Sequence, residues 1–293
     1  MLAIVGTVPD ERFPLTIGRM SLIENTVRIS EKNIPVNRGT PALIGAAIKA
    51  GEVLGLEDIH GFLAGDIGLG HGSRELYRHL TEHLPEMGME TLVFHYLQPD
   101  VDWHNKILFA VDAMEKKPVL IADAGFMYAA KMSGQARCYD MFTPDVGELA
   151  FLADEIAPHP FYTRGFILHE DNQVPDLIRR AYDHGNAANY LLVKGCVDYV
   201  VNEGQILTSV DKPVAEAMEA MGGTGDTLTG IVAALVASGM SIPEAGEIAA
   251  RTNRLAGFFA RPTPATQVME IIRQIPRALT EVLKSPHMKD AYK

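Results

Sequence analysis

Residues 221–239 read MGGTGDTLTGIVAALVASG: a small and apolar run suited to a buried helix, behind a start that carries three glycines and an acid. A helix start leaves up to four backbone N–H groups without intrahelical partners, and the aligned peptide dipoles place roughly half a positive charge there. Glycine lets the backbone approach an anion closely and lets successive N–H groups converge on it. Gly222, Gly223, Thr224 and Gly225 are therefore a candidate cradle for phosphate or another oxyanion. Asp226 stands beside them, where a carboxylate could take a proton from a substrate hydroxyl. On spacing alone, a glycine-rich turn with Asp226 as a first-turn acid reads equally well.

Outward from this stretch, short apolar runs alternate with helical patterns. LAIVGTV from Leu2, IHGFLAGD from Ile59, TLVFHYL from Thr91, PVLIADA from Pro118, CYDMFTP from Cys138 and NYLLVKG from Asn189 read as strands. PALIGAAIKAGEVLG from Pro41, SRELYRHLTEHL from Ser73, WHNKILFAVDAMEKK from Trp103 and VGELAFLADE from Val146 read as helices. Strands that are apolar throughout, separated by helices, are what a parallel sheet covered on both faces requires. VDYVVNE and QILTSV, on either side of Gly204, predict an antiparallel hairpin at one sheet edge. From Gly223 onward the chain reads as helices only, with Pro243 and Pro264 near helix starts. No long Pro/Gly/Ser linker interrupts the pattern, so a single α/β domain over 1–293 is expected.

The formal charge is −11, from 26 basic and 37 acidic residues, and no Lys/Arg run forms a stripe, so nucleic acid is not an expected partner. Cys138 and Cys196 lie far apart in no CxxC pair, which predicts reduced, packed thiols rather than a disulfide framework or a thiolate metal site. The start has no signal-like pattern and no window approaches ~18 uninterrupted apolar residues, so a cytoplasmic protein without a membrane partner is expected. His79 and His83 could share a metal-binding helix face, but with no HExxH pattern and no third ligand they read as a solvated face. Neither GxxxxGK[ST] nor GxGxxG after the first strand occurs.

A second glycine-rich strand-to-helix junction is GDIGLGHGSRELY, from Gly65. Asp66 would project from the strand end, Gly68, Gly70 and Gly72 could form a loop over a ligand, and Ser73 could cap the helix; the plain reading is a flexible connection. Asp102, Trp103 and His104 follow a strand, where a substrate pocket would be; Trp103 also reads as a packing anchor and Asp102 as a helix cap.

The combination of GGTGDTLTG with PVLIADAGF, FTPDVGELAFL and LLVKG, in that order along the chain, resembles the ribokinase-like superfamily. Within it, the set is most similar to the ATP- or ADP-dependent NAD(P)H-hydrate dehydratases, and ATQVMEIIRQIPRAL resembles their C-terminal helix; the resemblance runs from about Pro118 to Leu283. It implies a three-layer α/β/α fold with a mostly parallel central sheet, and an enzyme that uses ATP or ADP with Mg²⁺ to activate a hydroxyl of a small metabolite. By the resemblance, Asp226 is the catalytic acid/base and Gly223, Thr224 and Gly225 the anion hole. Lys194 and Gly195 lie by the nucleotide, with Thr143 and Glu148 organising phosphate or Mg²⁺-bound water and Asp145 sharing the metal role. Asp123 in ADAG faces the substrate, and Asp66, Gly68 and Gly70 stand on the same side. From the residues alone, Asp145 and Glu148 also read as caps of the helix from Val146, Lys194 as an exposed strand end, and Asn253 and Met221 as helix packing as readily as adenine contacts.

The N-terminal half departs from that pattern. It lacks a PGLG loop, having QPDVDWH after TLVFHYL; TPDVGE lacks a second proline, ADAG replaces a paired-acid DAD, and HPFYTRGFILHEDN is extra. These departures motivate an alternative from another class, a nucleotide-sensing or scaffold protein that keeps the fold without the chemistry. The substrate, the preferred nucleotide and the oligomeric state, a homo-oligomer included, stay open.

Overall fold

Every residue of LAIVGTV is buried, as befits a strand covered on both faces, and the stretch forms β1 (Leu2–Val8). The computed structural model describes residues 1–155 and 173–284; the HPFYTRGFILHEDN stretch, 159–172, lies outside the described residues. β1 is followed by β2 (Thr16–Ile23), β3 (Thr26–Ile29), β4 (Lys32–Pro35), α1 (Thr40–Leu54), β5 (Ile59–Gly65), α2 (His71–His83) and β6 (Thr91–His95). Next come α3 (Val101–Asp112), β7 (Val119–Ala122), α4 (Gly125–Met132), β8 (Met141–Phe142), α5 (Val146–Ala153), α6 (Val174–Asp183) and β9 (Tyr190–Val193). The chain continues through β10 (Asp198–Asn202), β11 (Gln205–Val210), α7 (Thr224–Ala237), α8 (Ile242–Ala260), α9 (Val268–Ile272) and α10 (Ile275–Lys284).

The described residues divide into two compact units. The first is made of Met1–Ile4, Thr16–Phe62 and the chain from Val210 onward; the second of Val5–Leu15 and Leu63–Ser209. β1 and β5 thus contribute residues to both.

In the first unit the strand order is β1-β5-β2-β3-β4, with β2, β3 and β4 an antiparallel meander. Its helices α1, α7, α8, α9 and α10 pack on one another. The α1 and α7 axes come close because Gly230 has no side chain: a Cβ there would stand 2.1 Å from the Leu43 carbonyl oxygen. Thus the last glycine of GGTGDTLTG serves packing, whatever the first three do.

In the second unit the order is β11-β10-β9-β8-β7-β6-β1-β5. β6, β7, β8 and β9 are parallel, and β10 turns back antiparallel to β9, the expected edge hairpin with β11 outermost. The strand and helix positions read from the sequence are present, but α4 and α6 were not anticipated, β8 is only two residues long, and the expected C-terminal helix is divided into α9 and α10. Two further differences bear on the reading of the sequence. α3 ends at Asp112, short of the expected run to Lys117, where an exposed Lys117–Asp112 pair and Pro118 close the segment. The β2–β4 meander was not anticipated: β2 reads TIGRMSLI, with only Met20 buried, and β3 and β4 are four residues each.

Both cysteines are exposed, against the expectation of packed thiols. Cys138 lies in a short 3-10 turn, its Sγ 3.2 Å from Gln135 Oε1, and Cys196 in the turn between β9 and β10, so neither has a core to enter.

His104 is not in a pocket but wholly buried in the second unit, its Nε2 2.9 Å from Tyr139 Oη and its Nδ1 3.1 Å from Ser133 Oγ. Burial pushes its pKa down to about 4, so the folded state holds a neutral ring where the unfolded chain would take a proton. The folded state therefore binds fewer protons between about pH 6.5 and 4, and His104 contributes stability that is complete above that window and lost as pH falls through it. We expect a loss of up to about 3 kcal/mol from this group. Urea unfolding of wild type and His104→Asn at neutral and acid pH checks it: a variant with the wild-type acid slope would remove His104 as the cause.

Candidate functional site

In the first unit, the glycine loop leads into α7 as expected. Gly223 is the N-cap, with φ 102° in the left-handed region that suits glycine, and no side chain caps the helix. The N–H groups of Thr224 and Gly225, the first two helical residues, have no acceptor among the described residues. The Thr224 hydroxyl points away from them, 3.3 Å from Met218 O and 3.4 Å from Met221 O. What this loop can offer an anion is therefore backbone N–H groups at a helix start.

Asp226, in the first turn of α7, is buried at 8% exposure. Its Oδ2 accepts the Gly39 N–H at 2.6 Å, from the residue that caps α1. This hydrogen bond fixes the orientation of the carboxylate. Gly39 is 187 residues away in sequence and was not anticipated as its partner.

Asn253, on α8, does not present its amide outward. Its Nδ2 donates to Thr224 O at 3.1 Å and its Oδ1 lies 2.7 Å from the Thr227 hydroxyl. The side chain ties α8 to the first turn of α7, the helix-packing role that the sequence also allows. Met221 is buried, at the end of the segment leading into the loop.

In the second unit, two residues expected on opposite sides of the chemistry are found together. Lys194 Nζ donates to both oxygens of Asp123, at 3.0 and 2.9 Å. The Asp123 side chain is almost wholly enclosed, and Lys194 is only 11% exposed. Asp123 Oδ1 also accepts the Ala124 N–H, and Oδ2 lies 3.8 Å from His95 Nε2. Ala124, the N-cap of α4, holds φ 52°, uncommon for a residue with a side chain. Such a cost is usually held where the surrounding structure fixes a functional geometry.

Thr143, buried at the end of β8, and Gly195, whose N–H donates to Asp198 Oδ1 at 3.1 Å, flank Lys194 through adjoining backbone: Lys194 N donates to Pro144 O at 2.8 Å. Asp145 and Glu148 form a reciprocal capping box at the start of α5, Glu148 N to Asp145 Oδ1 at 2.7 Å and Asp145 N to Glu148 Oε2 at 2.8 Å. Glu148 Oε1 accepts the Tyr128 hydroxyl at 3.2 Å. Burial, reinforced by the Asp123 and Asp145 charges and opposed by Lys194, raises the Glu148 carboxyl to about 8.

The Asp66 carboxylate turns back on its own loop. Oδ1 accepts the N–H groups of Gly68 and Gly70 at 3.0 and 2.9 Å; Oδ2 accepts the Ser73 N–H and hydroxyl at 3.0 and 2.9 Å. Burial alone would raise its pKa, but these four donors outweigh it and hold the group below its ordinary value. So the glycine-rich junction is a built turn rather than a slack connection. Ser73 is not the cap of α2: Gly70 is, and Ser73 lies inside the first turn, where it also receives the Gln98 N–H at 3.0 Å. Likewise Asp100, not Asp102, caps α3, accepting from Trp103 N; the Trp103 ring packs parallel to Tyr77.

His79 and His83 stand with ring centroids 4.4 Å apart on α2, and burial followed by the His83 charge lowers the His79 pKa. No third His, Cys, Asp or Glu completes a metal set with them among the described residues. No described helix is long and apolar enough to cross a membrane.

Comparison with known proteins places these residues in context. A family model described as NAD(P)H-hydrate dehydratase matches residues 98–277, which include Asp123, Lys194 and Asp226. An uncharacterized protein of Methanocaldococcus jannaschii is 42% identical over 243 residues, 83% of this chain and 100% of its own length. The bifunctional NAD(P)H-hydrate repair enzyme Nnr of Hyperthermus butylicus is 36% identical over 104 residues, 35% of this chain, which spans only 19% of that protein. Among solved structures, a ribokinase-like superfamily protein from Enterococcus faecalis gives a TM-score of 0.57 at 14% identity, covering 96% of this chain and 87% of its own. Pyridoxal kinase from Entamoeba histolytica gives 0.54 at 14% identity, covering 94% and 95%. At such identities the likeness shows the fold, the three-layer ribokinase-like α/β arrangement with mostly parallel central strands and antiparallel edges.

Proposed function

The chain belongs to the NAD(P)H-hydrate dehydratase family, as its match over residues 98–277 shows, and on that premise we propose that it activates a hydroxyl of a hydrated nicotinamide dinucleotide with ATP or ADP. The observation that carries the reading is Asp226: a buried carboxylate in the first turn of α7, behind uncapped N–H groups, oriented by the Gly39 N–H. The substrate hydroxyl oxygen bonds to the terminal phosphorus of the nucleotide as its proton passes to Asp226. The bond from that phosphorus to the bridging oxygen breaks, and the shortened nucleotide leaves. The phosphorylated carbon then loses phosphate with the bonding electron pair, a neighbouring carbon gives up a proton, and the ring double bond is restored. Stopping after the first step would be the outcome of a small-molecule kinase.

Gly223, Thr224 and Gly225 stabilise the charge developing on the transferring group through their N–H groups. Lys194, Gly195 and Thr143 are assigned to the nucleotide, and Asp66 with Gly68 and Gly70 to shaping the substrate side. Asn253 acts through the loop it holds. For Mg²⁺, the fitting donors are Glu148 and Asp145, hard carboxylate oxygens side by side at the start of α5; they would hold the ion through water. When bound, it neutralises phosphate charge.

Incubation with hydrated NADH and ATP or ADP, following phosphate release together with recovery of the dihydronicotinamide absorbance, tests the reading. Both signals are expected in equal amounts. Nucleotide binding without phosphate release from any hydroxyl substrate would favour the sensing alternative, and no nucleotide binding would sink both.

A further inference from the structure

Val36, Asn37, Arg38 and Gly39 join β4 to α1, and no sequence motif distinguishes them. Within the first unit this short segment lies against the glycine loop. A Cβ on Gly223 would stand 3.3 Å from Arg38 Cα, and one on Gly222 3.5 Å from Arg38 Cδ. A side chain at 223 would crowd both Val268 and the Arg38 backbone, whereas at Gly222 the Arg38 stem passes at ordinary contact distance, so Arg38 runs over the loop. Arg38 is exposed, and its guanidinium makes no hydrogen bond or ion pair with any described residue. Many basic side chains here do find partners: Lys49, Lys117, Arg179, Lys194 and Arg251 all pair with acids. An arginine left unpaired over a loop of uncapped N–H groups adds a full charge to the half charge of the helix start.

We infer that Arg38 is a phosphoryl-binding residue of this loop, its planar fork engaging two non-bridging oxygens of the donor nucleotide's terminal phosphoryl group. The inference rests on the function proposed above and adds to it a residue that neither the motif nor the family match contains, since the match begins at residue 98. Arginine suits the task because two parallel N–H groups match phosphate geometry and the side chain keeps its proton throughout. It holds the group while the bond to the leaving oxygen breaks and the bond to the attacking oxygen forms, and takes no proton itself. Its neighbour Gly39 orients Asp226, so one segment serves both the transferred group and the base.

Calorimetry of the full chain with ATP, ADP and AMP in the presence of Mg²⁺ tests the assignment. For the nucleotide wild type prefers, Arg38→Gln is expected to weaken binding about 10- to 100-fold, and Arg38→Lys to recover part of it. Binding of the nucleotide one phosphate shorter should be unchanged in both. Thermal unfolding of the variants should match wild type, because the side chain is exposed. An Arg38→Gln protein with the wild-type preference between the two nucleotides overturns the inference and leaves the proposed function standing. Wild type that binds no nucleotide overturns the proposed function and the inference with it.

Discussion

Asp226→Asn is expected to lower turnover by about 10³-fold or more while nucleotide affinity stays within a factor of a few, measured by phosphate release and calorimetry on the same preparation. The amide keeps an oxygen to accept the Gly39 N–H, so the α1 start and the first turn of α7 should stay in place. What it removes is the capacity to take a proton. Loss of both turnover and binding would instead point to a disturbed loop, and turnover near wild type would remove Asp226 from the chemistry. The isosteric change isolates the proton step, which a change to alanine would mix with a lost hydrogen bond inside a buried site.

Asp123→Ala is expected to destabilise the second unit by about 3–5 kcal/mol, because it leaves the largely enclosed Lys194 ammonium without its counter-charge. Equilibrium urea unfolding measures the cost. Replacing both partners by apolar groups, Asp123→Leu with Lys194→Met, should recover most of it, since the penalty lies in the unpaired charge more than in the lost attraction. A cost below about 1 kcal/mol for Asp123→Ala would mean that water reaches Lys194 far better than its 11% exposure implies. The pair also bears on function. Lys194 is not a cation waiting for phosphate; in this structure it is held bidentately by Asp123, and any use of it by a nucleotide has to share it with, or take it from, that carboxylate.

The fold was legible where the physics is local. Buried strands such as β1 and β9 announce themselves as apolar runs, and the helix behind GGTG by its small residues. The β2–β4 meander was not, because β3 and β4 are short and β2 is largely exposed, with Arg19, Ser21, Arg28 and Asn33 interrupting any apolar signature. The same division holds for the site. GGTGD could be read because a helix start and its neighbouring acid are contiguous. The Gly39–Asp226 hydrogen bond and the Lys194–Asp123 pair join residues 187 and 71 positions apart, and no periodicity carries that information. Residue type singles out Asp66 and Asn253, but only the folded backbone shows that each side chain bonds to a nearby loop or helix turn.

The packing of α1 against α7 also has a consequence for how the chain is made. α1 is buried along most of its length, and its tightest neighbour, Gly230 on α7, belongs to a helix that starts about 170 residues after α1 ends. At ordinary translation rates of ~5–20 residues per second, roughly 10–30 seconds separate the emergence of the two helices. Through that interval the apolar surface of α1 is on offer to whatever else the nascent chain meets. Synthesis, more than equilibrium stability, is where this protein would call on a chaperone.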